Sequence, residues 1–135
     1  MNIPIAFTAP WAQAWREVLN QSEIYRSAAA AWEGAVALVM HAEDGAPGRA
    51  VYLDLWHGEC RAAGEAGPED LERARFVFEA PVGTWRELME GRTTPMAALL
   101  AGGLRLTRGG LLELLPFASA AKELMAAASR MPVAF

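Results

Sequence analysis

Apolar positions recur at helical spacing near the start of the chain. Trp11, Trp15, Val18, Leu19, Tyr25, Ala29 and Trp32 fall on one stripe, which predicts a long helix over residues 10–33. Pro10 suits its first turn, and Asn20-Gln21-Ser22 weakens or kinks its middle. Gly34 ends the helix, and the period then changes to two. Residues 36–41 read as an apolar strand, and Asp44-Gly45 and Pro47-Gly48 mark a turn. Residues 50–56 alternate, with Val51, Leu53 and Leu55 on one face and Tyr52, Asp54 and Trp56 on the other. His57-Gly58 allows a second tight turn. Residues 59–64 form a weaker strand with Cys60 and Ala62 inward. Three strands joined by short turns imply an antiparallel meander.

The second half mixes both periods. Residues 68–73 are polar and loop-like, with room for one helical turn. Residues 75–80 form a fourth strand with Phe76 and Phe78 on one face, and Pro81 stops it. Thr84-Trp85-Arg86-Glu87 has the spacing of a capping box, and Gly91 ends the short helix that follows. Thr94-Pro95 starts another, with Met96, Leu99 and Leu100 as its apolar face and Gly102-Gly103 as its stop. Residues 104–108 alternate and give a fifth strand, and Gly109-Gly110 turns the chain. Residues 111–115 are almost all leucine. Phe117, Ala120, Ala121, Leu124, Met125 and Ala128 then stripe a terminal helix.

The predicted class is α+β: a five-stranded, mainly antiparallel sheet with helices covering one face. The chain reads as a single domain over residues 1–135. Its parts are an N-terminal helical segment (1–33), strands (34–80), helices (81–103), a strand (104–108) and C-terminal helices (111–130). At 135 residues it has material for one core and is too short for two ordinary domains.

Charge narrows the partners. Sixteen acids stand against 12 bases, a net charge of −4, and the arginines are scattered along the chain. A phosphate-backbone binder carries a basic stripe, so nucleic acid is not an expected partner. Strong electrostatic attachment to anionic membranes is equally unsupported. No apolar run approaches the roughly 18 residues of a membrane span, so no integral membrane segment is expected. The single cysteine, Cys60, excludes an internal disulfide. With no signal peptide or targeting tail visible, the expected location is cytoplasmic.

Catalysis has no visible constellation. His57-Gly58-Glu59-Cys60 is at most half of a zinc site, and no second half exists. Cys60 lacks a neighbouring base, so it reads as a core thiol. The pairs Glu43/Asp44 and Glu69/Asp70 read as solvated loop charge. No glycine cluster has the spacing of a phosphate cradle. The expectation is therefore no enzyme, no metal and no cofactor. The apolar residues between Trp85 and Met125 read, by pattern alone, as an ordinary core. Met89, Met96 and Met125 also suit an adaptable pocket.

The run Trp85-Arg86-Glu87-Leu88-Met89-Glu90-Gly91-Arg92-Thr93-Thr94-Pro95-Met96-Ala97-Ala98-Leu99-Leu100 resembles a signature of the sterol carrier protein type 2-like (sterol-transfer) family. In that family a helix, a Gly, a short polar link and a Pro-Met pair precede a small apolar helix. Leu104-Arg105-Leu106-Thr107-Arg108-Gly109 resembles the strand that follows. The resemblance covers roughly residues 34–130 in element order.

It implies an apolar tunnel between sheet and helices. Non-enzymatic binding or transfer of a lipid-like ligand is the implied activity: a fatty acyl chain, acyl-coenzyme A or a phospholipid. Carried over residue by residue, the implied lining is Phe78, Trp85, Leu88, Met89, Met96, Leu99, Leu100, Leu104, Leu106, Leu115, Phe117, Leu124 and Met125. Family domains also occur fused to enzymes. The alternative is thus an accessory or homodimerising module whose pocket is filled by side chains. Gly110 stands where the family often has an acid, the lysines of animal members are absent and the chain is acidic, which argues against sterol specificity and against transfer through anionic membranes.

Overall fold

The sheet grows outward from the middle of the chain. In a computed structural model, described over residues 3–43 and 48–135, β1 (Glu33–Met40), β2 (Arg49–Trp56) and β3 (Glu59–Glu65) form the expected meander. Val36 pairs with Leu53 and Leu38 with Val51, which puts both apolar rows on one face. The turn expected at Asp44, Gly45 and Pro47 lies outside the described residues. The second turn is as expected: His57 and Gly58 both take positive φ, 50° and 83°, as a two-residue hairpin loop of the mirror-image type requires.

After β3 the chain crosses to the far side of β1. There β4 (Phe76–Ala80) runs parallel to β1, with Val36 opposite Phe76. β5 (Arg105–Arg108) then adds antiparallel to β4, giving the order β3-β2-β1-β4-β5. One parallel pair therefore sits inside a mainly antiparallel sheet.

Alternation divides the faces. Val36, Leu38, Met40, Val51, Leu53, Leu55, Phe76, Phe78 and Ala80 all enter the main core. β3 departs from the expected pattern. Its pairing with β2 slips between Asp54 and Leu55, and this bulge shifts the inward phase. Cys60 stays buried as predicted, but Ala63, not Ala62, is the next buried residue.

The N-terminal helix is two helices, α1 (Ala9–Gln21) and α2 (Glu23–Ala28). Ser22 breaks them with extended backbone, and its side chain caps the second by accepting from the Tyr25 N–H at 3.2 Å. Residues 29–32 already turn toward β1. α1 lies along β3 and meets its free polar groups. Gln13 donates to the Ala63 carbonyl. Arg16 Nε and Asn20 Nδ2 donate to the Cys60 carbonyl at 3.1 and 2.9 Å, and the Cys60 N–H donates to Asn20 Oδ1 at 2.7 Å.

The segment expected as a loop is a formed helix, α3 (Pro68–Arg73), and it corrects the one-face picture. Leu71 and Ala74 pack with Ala37, Val39 and Val77 on the opposite face of the sheet. The other helices cover the main face. α4 (Val82–Met89) begins earlier than the capping-box spacing predicts: Pro81 takes the cap position and Thr84 lies inside the first turn. Proline's fixed φ and extended ψ already hand the chain from strand to helix there.

α5 (Pro95–Ala101) has the expected Thr94 cap, 3.3 Å from the Ala97 N–H, and the expected Gly102 stop at φ 88°. Its buried face is nevertheless Pro95 and Ala98. Met96 and Leu99 are half-buried and Leu100 is exposed. α6 (Leu111–Leu114), a 3-10 turn (Leu115–Phe117) and α7 (Ala118–Ser129) complete the cover.

Gly109 is where the backbone needs glycine. Its φ is 87°, and an added Cβ would press on the Phe76 ring and lie 2.8 Å from the Arg75 carbonyl. Gly109→Ala is expected to cost more than about 1 kcal/mol in urea unfolding. Gly110→Ala, whose Cβ meets nothing, is expected to stay within about 0.5 kcal/mol of the native chain.

Candidate apolar site between sheet and helices

The inner face of β1, β2 and β4 is covered by α2, α4 and α7, which leave two small voids. The first, about 20 Å³, is lined by Tyr25, Trp32, Val36, Leu55, Phe78, Leu114, Ala120, Ala121 and Leu124. The second, also about 20 Å³, is lined by Leu38, Phe78, Trp85, Leu88, Pro95, Leu104, Ala121, Leu124 and Met125. Each has about the space of one water, yet the walls are hydrophobic throughout save for the Tyr25 hydroxyl and the Trp32 and Trp85 ring nitrogens. Those two indoles are already spent on Gly34 and Val39 carbonyls, at 2.7 and 3.0 Å. A site with so few partners does not hold water.

Three residues, Phe78, Ala121 and Leu124, stand in both walls and divide the two voids. The continuous tunnel expected from the resemblance is not seen among the described residues; two small voids that share these three wall residues stand in its place.

Phe78, Trp85, Leu88, Leu104, Leu124 and Met125 come together around the voids. Met89 is buried in the core beside them, and Met96, Leu99, Leu106 and Phe117 pack half-buried against it. Leu100 and Leu115 point to solvent and do not join. Sequence reasoning missed Tyr25, Trp32, Val36, Leu38, Leu55, Pro95, Leu114, Ala120 and Ala121 as void-lining residues. Their signal was present, since most lie on the inward rows and stripes already read as apolar. Five of them precede residue 78, where the resemblance places no lining residue, and the other four lie within the 78–125 stretch.

Leu104 has a second role. It also lines an open surface groove of about 560 Å³, together with Leu99, Gly102, Arg105, Leu106 and Leu111. Leu104 thus stands in the walls of both the second void and the groove.

The ionisable groups lie away from this interior or are silenced in it. Burial pushes the Cys60 thiol up to about 12, so it is protonated at neutral pH. Burial likewise raises the Tyr25 phenol. His57 pairs with Glu33 at 2.6 Å and His41 with Glu79 at 3.2 Å, at opposite ends of β1. Among the described residues no three His, Cys, Asp or Glu side chains group as metal ligands would.

Glu79, on the outer face, carries a directional shift. Thr107 Oγ1 donates to its Oε2 at 2.7 Å, and with His41 this holds the carboxyl below its ordinary 4.5 against desolvation. A depressed carboxyl stabilises the fold above that value and loses the contribution as pH falls through the folded pKa. Melting temperature is expected to fall below pH 4.5, and Thr107→Val is expected to shallow that fall.

The architecture is thus an α+β domain: a five-stranded, mainly antiparallel sheet covered by helices over an apolar interior. Within that architecture the chain belongs to the SCP-2 sterol transfer family, whose model matches residues 15–107. A crystal structure of a sterol carrier protein 2 is 46% identical, with a TM-score of 0.85, covering 93% of this chain and 98% of that one. A conserved hypothetical protein from Thermus thermophilus, described as possibly a sterol carrier protein, is 42% identical, with a TM-score of 0.85, covering 98% and 97%. The apo sterol carrier protein 2 of Yarrowia lipolytica shares the fold at 16% identity and a TM-score of 0.60, covering 87% and 88%. Among curated proteins none matches the chain.

Proposed function

We propose that this protein binds and transfers a lipid-like molecule without covalent chemistry, housing an acyl chain where the two voids now lie. The observation that carries this is the shared wall: two dry apolar voids separated only by Phe78, Ala121 and Leu124. Rotation of Leu124 and Phe78 joins them, and displacement of Leu104 opens the joined space to the outer groove. Desolvation supplies the affinity. Each buried methylene contributes roughly 0.8 kcal/mol, so ten of them give about 8 kcal/mol before the costs of association and of opening the interior. A closed resting state lowers the apparent affinity by the fraction of open protein, which suits a carrier that must also release.

A fatty acyl chain, an acyl-coenzyme A and a phospholipid all satisfy this geometry, because only the chain needs the interior. Membership of the sterol transfer family supports the same reading. Native mass spectrometry of freshly purified protein is expected to show a bound lipid mass. A clean apoprotein that also fails to take up a fluorescent fatty acid would overturn the reading.

A further inference from the structure

The chain from Gly110 to Phe117 supplies a wall of the first void, yet little fastens it there. Only Leu114 of this segment is fully buried, and it is the residue that lines the void. Leu111, Leu112, Glu113, Leu115 and Pro116 are exposed, and Phe117 is half-buried. The backbone bonds are local: the Leu114 N–H donates to the Gly110 carbonyl at 3.1 Å, that of Leu115 to Leu111, and that of Ala118 to Leu115. Among the described residues no backbone hydrogen bond joins residues 111–117 to the sheet or to an earlier helix. A segment with few buried contacts and self-contained bonding opens readily. Gly110, at its start, has open space where a Cβ would lie.

What does fasten the segment is Arg75, which is mounted on the sheet. Its N–H donates to the Ala35 carbonyl and its Nη1 to the Glu33 carbonyl, each at 2.8 Å. Its stem lies so close to Gly34 that an added Cβ there would stand 3.0 Å away. From that mount Nε donates to Glu113 Oε2 at 3.0 Å, across to the segment. This is the segment's one ion pair among the described residues. The guanidinium also lies 5.3, 5.5 and 5.4 Å from the rings of Trp32, Phe76 and Phe117, within cation–π range of each. Trp32 meets Phe117 edge-on at 4.8 Å and is itself a wall of the first void. One cation thus ties two rings of the sheet side to a ring and a carboxylate of the segment.

We propose that residues 110–117 are a lid over the first void and that Arg75 is its latch. Release of Glu113 and Phe117 takes Leu114 out of the void's wall and uncovers Trp32. Leu111 moves with the lid, which widens the outer groove that Leu104 borders. The buried row of α7 begins at Ala120, so the lid opens without unfolding that helix. Passage of a guest by this route rests on the reading above; the opening itself does not.

Amide hydrogen exchange of the ligand-free protein measures the opening. Residues 111–117 are expected to exchange faster than the buried row of α7. Glu113→Gln is expected to speed them about two- to fivefold. Arg75→Gln, which also loses the rings and the Glu33 carbonyl, is expected to speed them about tenfold or more. Arg75→Lys keeps the charge without the planar fork and is expected to fall between native and Arg75→Gln. Salt is expected to speed exchange in the native chain and not in Glu113→Gln, a response that lost packing alone would not give. Glu113 is exposed, so the melting temperature of Glu113→Gln is expected to hold. Stopped-flow uptake of a fluorescent fatty acid is expected to quicken in the same order as exchange. Exchange that Glu113→Gln and Arg75→Gln leave unchanged would overturn the proposal. Faster exchange with an unchanged uptake rate would put the entrance elsewhere and overturn the lid's role as a gate. Native protein that takes up no fatty acid, while exchange responds as expected, would overturn the lipid reading and leave the latch standing.

Discussion

Leu124→Ala is expected to weaken the fold and to improve it as a container. Leu124 is buried on α7 and stands in the walls of both voids. Truncating it removes the transfer energy of a buried leucine and leaves extra cavity, a loss of about 2–5 kcal/mol. The same truncation removes most of the partition, leaving Phe78 and Ala121. The joined space is apolar, so it stays dry and available to an apolar guest. Urea unfolding is expected to show the loss, and titration with a fluorescent fatty acid is expected to show tighter uptake. Leu124→Met keeps the volume and is expected to cost less than about 1.5 kcal/mol. A variant that is destabilised with no gain in uptake would mean that the walls collapse, or that the ligand sits elsewhere.

The second large effect is expected at Trp15, which ties the first long helix to the last. Its ring is fully buried, and its Nε1 donates to the Leu124 carbonyl at 3.0 Å. Trp15→Ala is expected to cost about 3–5 kcal/mol, a large fraction of the stability of a domain this size. Trp15→Phe separates packing from hydrogen bonding: it keeps most of the apolar area and removes one hydrogen bond from a carbonyl that keeps its helical partner, at about 0.5–1.5 kcal/mol. Trp11 supplies the control. It is equally buried, but its indole N–H has no hydrogen-bond partner. Trp11→Phe therefore removes an unpaired donor and is expected to cost less than Trp15→Phe. Equal costs would mean that ring volume alone decides and that the Leu124 bond contributes nothing.

Much of the fold was legible because its strands obey a strict two-residue period. Val51, Leu53 and Leu55 could face only one way, and the glycines at 58 and 102 could do only what positive φ allows. What failed was local phase. The β3 bulge exchanged Ala62 for Ala63, and no residue type in Glu59-Cys60-Arg61-Ala62-Ala63 signals an insertion. In α5 the buried face rotated toward Pro95 and Ala98 because small residues let the helix approach the core closely. Leu100 was left outside despite its hydrophobicity. Thr84 has the chemistry of a cap, but Pro81 had already started the helix.

The candidate site was legible only as a list of apolar side chains. Whether such side chains leave a tunnel or fill it depends on how far Phe78 and Leu124 reach across a space that periodicity does not measure.

The side chains of α1 that meet β3 bear on how this molecule behaves when crowded. An edge strand is a template, because its free N–H and C=O groups can recruit another chain and begin an aggregate. Gln13, Arg16 and Asn20 occupy the Ala63 and Cys60 groups from which such recruitment would start. β5, at the other edge, is only four residues long and carries an arginine at each end. The sheet is thus protected from self-templated growth by two different means: satisfied backbone on one side, and brevity with repulsion on the other.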